Sequence, residues 1–319
     1  MEPTVLHVVS LSTGKDSEAT LCYALETQPR ESIRAVFADT GNEAEEVYEH
    51  LDYLEQATGV PVKRLRRSFD EEIARTRARM ALFASGEKID TRGDEDGPKW
   101  TKEAAARALE LLVPTGNPYL DLCLWKGRFP SRMAQFCTQF LKTEPMVEYQ
   151  MDLIDEGHIV WSWQGVRRNE SERRRYAREF EEVGGGLFIY RPIVRWTAQD
   201  CFDAANAYGL KHNPLYSQGF TRVGCMPCIN SGKDDLLQVA RRHPEHIERI
   251  AEWEKLVASV SKSGSASFIA DPDRDAHMNK RGIHKVIQWA RTGRGGKTYD
   301  MFRSVEDEGG CSSSYGLCE

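Results

Sequence analysis

Short apolar runs alternate with amphipathic stretches along most of this chain. The runs at 5–10, 33–38, 61–65, 158–163 and 187–194 have the length of strands buried on both faces. Between them, apolar positions recur every three or four residues at 16–27, 43–58, 69–84, 145–156 and 197–208, the period of helices with one buried stripe. The alternation predicts an α/β fold: a doubly wound, mainly parallel five-stranded sheet with helices on both faces. Residues 86–131 interrupt it with charge, glycine and proline ("SGEKIDTRGDEDGPKW", "VPTGNPYLDLCLWKGRFP") and predict an insertion with its own helix near 101–112. After 216 the pattern changes to two helical stretches and a polar, glycine-containing tail. The expected organisation is an α/β domain over 1–216, with the insertion at 86–131, and a helical, cysteine-bearing region over 217–319.

Ligands on such sheets bind outside the carboxyl ends of the strands. There the first strand runs into Ser12-Thr13-Gly14-Lys15-Asp16-Ser17 and then into a helix. Hydroxyls at 12 and 17, a glycine that lets backbone approach an oxyanion, a lysine and a helix N-terminus suit a phosphate group. The spacing is neither that of a Walker A loop nor that of a dinucleotide fingerprint. Asp16 is placed to orient the loop or to help hold Mg2+. At the end of the second strand, Asp39 is placed to reach a ribose hydroxyl or Mg2+, and Thr40-Gly41 to cap the following helix. Arg167 and Arg168, after the run "IVWSWQGV", emerge at a strand end, where guanidinium groups can stabilise charge on a departing pyrophosphate. The arginines at 173–178, interleaved with glutamates, read as surface ion pairs.

The Ser-x-Gly-Lys-Asp-Ser loop resembles the pyrophosphatase loop of the adenine nucleotide alpha-hydrolase-like proteins. Four further segments, "FADTGNEAEEVYEHL", "QFCTQFLKTEP", "GVRRNESERRR" and "PIVRWTAQDCFDAANAYGLKHNPLY", extend the resemblance to the phosphoadenosine phosphosulfate reductase family in its broad sense, from residue 5 to about 230. The resemblance implies a nucleotide substrate, ATP or an adenylyl sulfate. It implies nucleotide contacts from Ser12, Thr13, Gly14, Lys15, Asp16, Ser17, Asp39, Thr40, Gly41, Arg167 and Arg168, with Lys15, Asp16 and Arg167 acting in catalysis. Two activities follow from it. In one, ATP adenylates an acceptor, nucleic acid being one class, pyrophosphate leaves and sulfur displaces AMP. In the other, adenylyl sulfate is reduced to sulfite. An ATP sulfurylase-like activity and a non-catalytic nucleotide-binding role rank below these. A sulfur donor such as a cysteine desulfurase, or a thiol reductant, is the implied partner, and a homodimer is left open.

Eight cysteines bear on this choice. Cys225-Met226-Pro227-Cys228 has the reach to clasp one metal centre. Cys137 falls where iron-sulfur members of the family carry paired cysteines, although its neighbour here is Thr138. Cys311 and Cys318, in the tail "CSSSYGLCE", complete the candidate set for a 4Fe-4S cluster, with zinc as the alternative metal. Cys318 also competes for the role of nucleophile or sulfur carrier. Cys22 and Cys201 lie on helix faces and read as core residues.

Composition narrows the setting. No apolar run is long enough to span a bilayer and no basic-then-apolar signal opens the chain, so a cytoplasmic protein with no membrane partner is expected. A net charge of −6 argues against nucleic-acid binding by the whole surface. Local basic patches remain at 62–69 and over Arg274 to Lys297. His243 and His246 read as surface residues.

Overall fold

The computed structural model describes residues 4–91, 99–269 and 282–292. In chain order the elements are β1 (Val5–Leu11), α1 (Lys15–Thr27), β2 (Ile33–Ala38), α2 (Glu45–Thr58), β3 (Val62–Leu65), α3 (Asp70–Ser85), α4 (Lys102–Leu111) and α5 (Pro118–Lys126). A three-residue α6 (Phe136–Thr138) passes through a π-turn at Gln139–Thr143 into α7 (Glu144–Asp155). Then come β4 (Ile159–Trp163), β5 (Phe180–Gly184), β6 (Leu187–Tyr190), α8 (Ala198–Ala207), α9 (Pro214–Ser217), α10 (Lys233–Arg242), α11 (Pro244–Val260) and α12 (Ile283–Ala290).

The six strands form one sheet in the order β3-β2-β1-β4-β6-β5. All neighbours are parallel except β5 and β6. The expected five strands are therefore present, and β5 is an addition. Its sequence, FEEVG, is charged and mostly exposed, so it lacks the apolar run by which the inner strands announce themselves. Gly184, Gly185 and Gly186, with φ of +106°, +63° and +92°, turn it back antiparallel to β6, a path that side chains would strain.

Apolar residues cover both faces of the sheet. Leu6, Val8, Val36 and Val160 pack with Met146 and Leu153 of α7 on one side. Cys22 of α1, Leu54 of α2 and Ala205 of α8 form a cluster among the helices, and Ala19, Ile193 and Cys201 form another. Cys22 and Cys201 are core residues, as expected, and burial pushes the Cys22 thiol up to about 12. No helix among the described residues is long and apolar enough to cross a membrane.

The chain divides into two compact units. The first takes Met1–Arg66 and Thr138–Asp235; the second takes Arg67–Cys137 and Leu236–Gly296. These limits differ from the expected 1–216, 86–131 and 217–319. The excursion leaves the sheet unit at Arg67, and residues 217–235 stay with it. The physical reason lies in the amphipathic helices α3 to α5, whose apolar sides need partners. Within the second unit Arg107 of α4 donates to the carbonyls of Ser259 and Ser261, and Tyr119 of α5 stacks on Trp253 of α11 at 5.8 Å. Segments distant in sequence thus share one core.

Candidate active site

The strand order reverses between β1 and β4, so the loops that leave these strands diverge and open a crevice between them. The loop after β1 is built tightly. Thr13, fully buried, adopts φ +63°, a left-handed conformation that costs a non-glycine residue of order 1–3 kcal/mol and points to a functional constraint. The Ser17 hydroxyl donates to the Gly14 carbonyl at 2.9 Å and accepts from the Ser12 backbone N–H at 3.1 Å. The two serine hydroxyls also lie 3.1 Å apart. They close the loop on itself and hold its shape. From the first unit's later segment, the Tyr216 hydroxyl accepts from the Lys15 N–H at 2.9 Å, and the Asn213 amide donates to the Thr13 hydroxyl at 3.3 Å.

Charge converges on Asp16, which is wholly buried. Arg167 Nε lies 2.8 Å and Lys15 Nζ 3.6 Å from Asp16 Oδ1. Two cations against one carboxylate leave this trio with one positive charge at the N-terminus of α1, where the helix dipole also favours an anion. Gly165 makes the approach of the two loops attainable, because a Cβ there would lie 2.9 Å from the Asp16 carbonyl oxygen and 3.1 Å from the Ser17 nitrogen.

The loop after β2 forms a second wall. Asp39 Oδ1 accepts from the Gly41 N–H at 2.9 Å and from the Tyr48 hydroxyl at 2.8 Å, while Oδ2 lies 3.1 Å from Arg66. Both carboxylate oxygens are engaged in shaping the loop. Thr40 donates through its hydroxyl to Glu43 Oε1 at 2.6 Å. Burial first, then the charges of Glu43 and Asp39, raise the Tyr48 phenol well above its ordinary value, so it stays a donor.

The Cys-x-x-Cys segment is latched to this wall. Glu43 and Cys225 form an antiparallel bridge, the Met226 N–H donates to the Asn42 carbonyl at 2.7 Å, and the Asn42 amide donates to the Pro227 carbonyl at 3.0 Å. Cys225 Sγ stands 3.5 Å from the Thr40 hydroxyl and 3.6 Å from Glu43 Oε1. Burial pushes its thiol up, Lys142 pulls it down, and Glu43 and Cys228 push it up again. Lys142 is a buried lysine on the π-turn, a helical irregularity frequent at functional sites. Ser12, Glu43, Lys142 and Gly224 line one small cavity of about 10 Å³.

The structure thus brings together Ser12 to Ser17 with Arg167, and Asp39 to Gly41 with Cys225 and Cys228. Arg168 turns away: its guanidinium donates to the Ala177 carbonyl at 2.8 and 3.0 Å and anchors the excursion before β5. Among the downstream arginines, Arg174 is buried against Glu170, where a surface pair was expected. Cys137 belongs to the second unit beside Cys123, whose thiol burial pushes up. Cys311 and Cys318 lie outside the described residues, as does most of the basic stretch 274–297. In the other basic patch three of the four cations are paired: Arg64 with Asp52, Arg66 with Asp39 and Arg67 with Glu72. His246, read as a surface residue, is buried beside Arg249. The sequence reading missed Glu43, Lys142, Gly165, Asn213 and Tyr216. Each lies within or beside a quoted motif, but only a buried lysine or glutamate next to such motifs could have signalled its role.

Comparison with known proteins places these features in a family. The description "Phosphoadenosine phosphosulfate reductase domain" matches residues 6–92 and 119–231. A 37.8 kDa protein of Escherichia phage 186, itself uncharacterised, is 41% identical over 331 aligned positions, covering 99% of this chain and 97% of that protein. An adenosine 5'-phosphosulfate reductase of Chelativorans sp. is 32% identical over 104 residues, covering 32% of this chain and 40% of the reductase. One from Neisseria meningitidis serogroup A is 33% identical over 117 residues, 34% of this chain and 46% of the reductase. The chain therefore aligns with less than half of either reductase. A solved phosphoadenylyl-sulfate reductase from Candida auris, in a phosphate complex, superposes with a TM-score of 0.40 and 14% identity over 71% of this chain and 83% of that one.

Proposed function

Because this chain belongs to the phosphoadenosine phosphosulfate reductase domain family, with more than half of its length matched, we propose that it is a nucleotide-dependent sulfur-transfer enzyme that cleaves ATP to AMP and pyrophosphate. The observation that carries this reading is the Lys15–Asp16–Arg167 trio at the crevice between β1 and β4. Pyrophosphate gathers negative charge as it leaves, and a preorganised pair of cations beside a helix N-terminus favours that charge over the ground state. In this account Lys15 and Arg167 meet the β- and γ-phosphates, and Asp16 keeps both cations in place before the nucleotide arrives. The acceptor oxygen attacks the α-phosphorus, its bond to phosphorus forms as the bond to pyrophosphate breaks, and the adenylated acceptor then exchanges its oxygen link for sulfur with loss of AMP. Mg2+ would enter with the nucleotide, because Asp16 and Asp39 already balance cations of the protein.

Cys225 and Cys228 fit a metal centre in one respect: they lie in one short loop bonded to the nucleotide-side wall, and the Lys142 charge nearby favours the Cys225 thiolate. They would hold a 4Fe-4S cluster, which when bound supplies an electron store or an iron site for sulfur. Cys137, Cys311 and Cys318 are the proposed source of the remaining ligands, and Cys318 is the candidate sulfur carrier. The protein's own contribution at this place is positional: Thr40 and Glu43 fix Cys225 beside the nucleotide loop.

A second reading, reduction of adenylyl sulfate to sulfite, is favoured by the named reductases among the relatives. One comparison separates the two. Anaerobically purified protein is given either ATP or adenylyl sulfate with a thiol reductant, and pyrophosphate and sulfite are both measured. Pyrophosphate from ATP supports sulfur transfer; sulfite from adenylyl sulfate, with no pyrophosphate from ATP, replaces that reading with the reductase.

A further inference from the structure

The second unit holds a cavity of about 730 Å³ that the proposed chemistry does not use. Its walls come from α3, the turn after it, the end of α5 and the residues following α11. Among the described residues, five cationic side chains line it, Arg79, Lys88, Lys126, Arg128 and Lys262, with one carboxylate, Asp90. Asp90 is buried and accepts the Trp100 backbone N–H at 3.0 Å, which ties Trp100 to the cavity wall.

Several features distinguish this from an ordinary solvated surface. Arg79, Lys88 and Arg128 form no ion pair with a carboxylate among the described residues, in contrast to Arg64, Arg66 and Arg67 of the first basic patch. The half-exposed ring of Trp100 makes no ring contact among the described residues, whereas Trp125 is already stacked on Phe69 at 5.7 Å. The turn that presents Lys126 and Arg128 packs closely against the end of α11. Gly127 adopts φ +63°, and a Cβ there would stand 3.3 Å from the Val260 carbonyl oxygen. Charge is also partitioned between the units. Arg67–Cys137 and Leu236–Gly296 contain 23 Lys and Arg against 18 Asp and Glu, while the rest of the chain contains 20 against 31. A molecule with a net charge of −6 thus carries a formal charge of +5 on one unit and −11 on the rest.

Like charges gathered in one place repel one another, and a polyanion relieves that repulsion with release of its counterions. The cations come from four chain segments, which suits phosphates spaced along a strand better than one compact triphosphate. An available aromatic face beside them suits an unpaired base, since stacking on aromatics is how single strands are held without regard to sequence. We propose that this cavity binds single-stranded nucleic acid, with phosphates on Arg79, Lys88 and Arg128 and a base on Trp100. As an assignment of the acceptor class it rests on the sulfur-transfer reading above; as a binding site it stands without it.

The test uses the full chain without ATP and a fluorescein-labelled 12-nucleotide single strand, as DNA and as RNA, with anisotropy read between 50 and 200 mM salt. Wild-type protein should bind at least one of the two. The double variant Arg79→Ala/Arg128→Ala should bind about 10-fold more weakly and lower the slope of log K against log salt by about 1.4, two phosphate contacts at roughly 0.7 each. Trp100→Ala should weaken binding about 10-fold, as loss of one stacked base predicts. Thermal melting confirms that the variants are folded. Absence of binding, or folded variants that bind like wild type, would overturn the proposal. So would equal competition by a duplex of the same sequence, or by ATP at equal phosphate concentration. A fluorescent ATP analogue, titrated in parallel, reports on the Ser12–Ser17 loop. Lys15→Ala should weaken that signal and leave oligonucleotide binding unchanged, so failure of either reading is seen separately.

Discussion

Replacing Gly165 by alanine adds one methyl group at the place where the loops after β1 and β4 touch. Its backbone is outside the left-handed region, so alanine brings no conformational strain, and in isolation the change would stabilise the chain by about 0.4–1 kcal/mol through the unfolded state. The new Cβ, however, would stand 2.9 Å from the Asp16 carbonyl oxygen, 3.0 Å from the Asp16 carbonyl carbon and 3.1 Å from the Ser17 nitrogen, where ordinary contact begins at 3.4 Å. All three are backbone atoms, and none can swing aside. Separation by about half an ångström is required, and overpacking of this kind costs about 1–3 kcal/mol. The net loss is therefore about 1–2 kcal/mol, a fall in melting temperature of a few degrees. The same shift pulls at the 2.8 Å Arg167–Asp16 pair two residues away, and nucleotide affinity should fall about 10-fold. Differential scanning fluorimetry and a fluorescent ATP titration read the two effects. A Gly165→Ala protein with unchanged melting and unchanged affinity would refute the close-approach reasoning.

Tyr216→Phe removes the acceptor for the Lys15 N–H and should weaken nucleotide binding by about 1 kcal/mol, some fivefold, with little loss of stability, as calorimetric titration and melting would show. Arg167→Ala removes one of the two cations against the buried Asp16 and should destabilise the fold by about 3–5 kcal/mol, measured by denaturant unfolding, whereas a conventional surface pair would cost under 1. Burial lowers the pKa of His7, whose Nδ1 accepts the Trp163 indole at 3.0 Å. Its contribution to stability is therefore complete above 6.5 and is lost as pH falls through the lower folded value. Melting curves from pH 7.5 down to 5 should show this loss in wild type and a smaller one in His7→Gln. Anaerobically purified protein should contain iron and acid-labile sulfide in near-equal amounts, and Cys225→Ser should lose them; stoichiometric zinc instead would redirect the metal assignment.

The inner sheet could be read from sequence because parallel strands buried on both faces are continuous apolar runs, as in VLHVVSL and IRAVFA. The edge strand Phe180–Gly184 carries no such run and was invisible to that logic. Loop chemistry was legible where it is local: Ser12 to Ser17 sits at the end of β1 as its residue types require. What joins that loop to distant sequence was not. Asn213 and Tyr216 reach it across some two hundred residues, and Glu43 meets Cys225 through a bridge that no spacing rule encodes. Asp39 shows the converse: its position at a strand end was foreseen, but its oxygens are taken by Gly41, Tyr48 and Arg66. The two-unit division was hidden for a similar reason, since each unit is assembled from separated segments.

If Lys15, Asp16 and Arg167 hold the pyrophosphate half of ATP, the bond between the α- and β-phosphates is the one that breaks. The purified chain is incubated with ATP labelled at the α-phosphate, Mg2+ and single-stranded nucleic acid as acceptor, and the labelled products are separated. Labelled AMP or adenylated acceptor with equimolar pyrophosphate is the expected result, lost in Lys15→Ala. Labelled ADP with orthophosphate would contradict it.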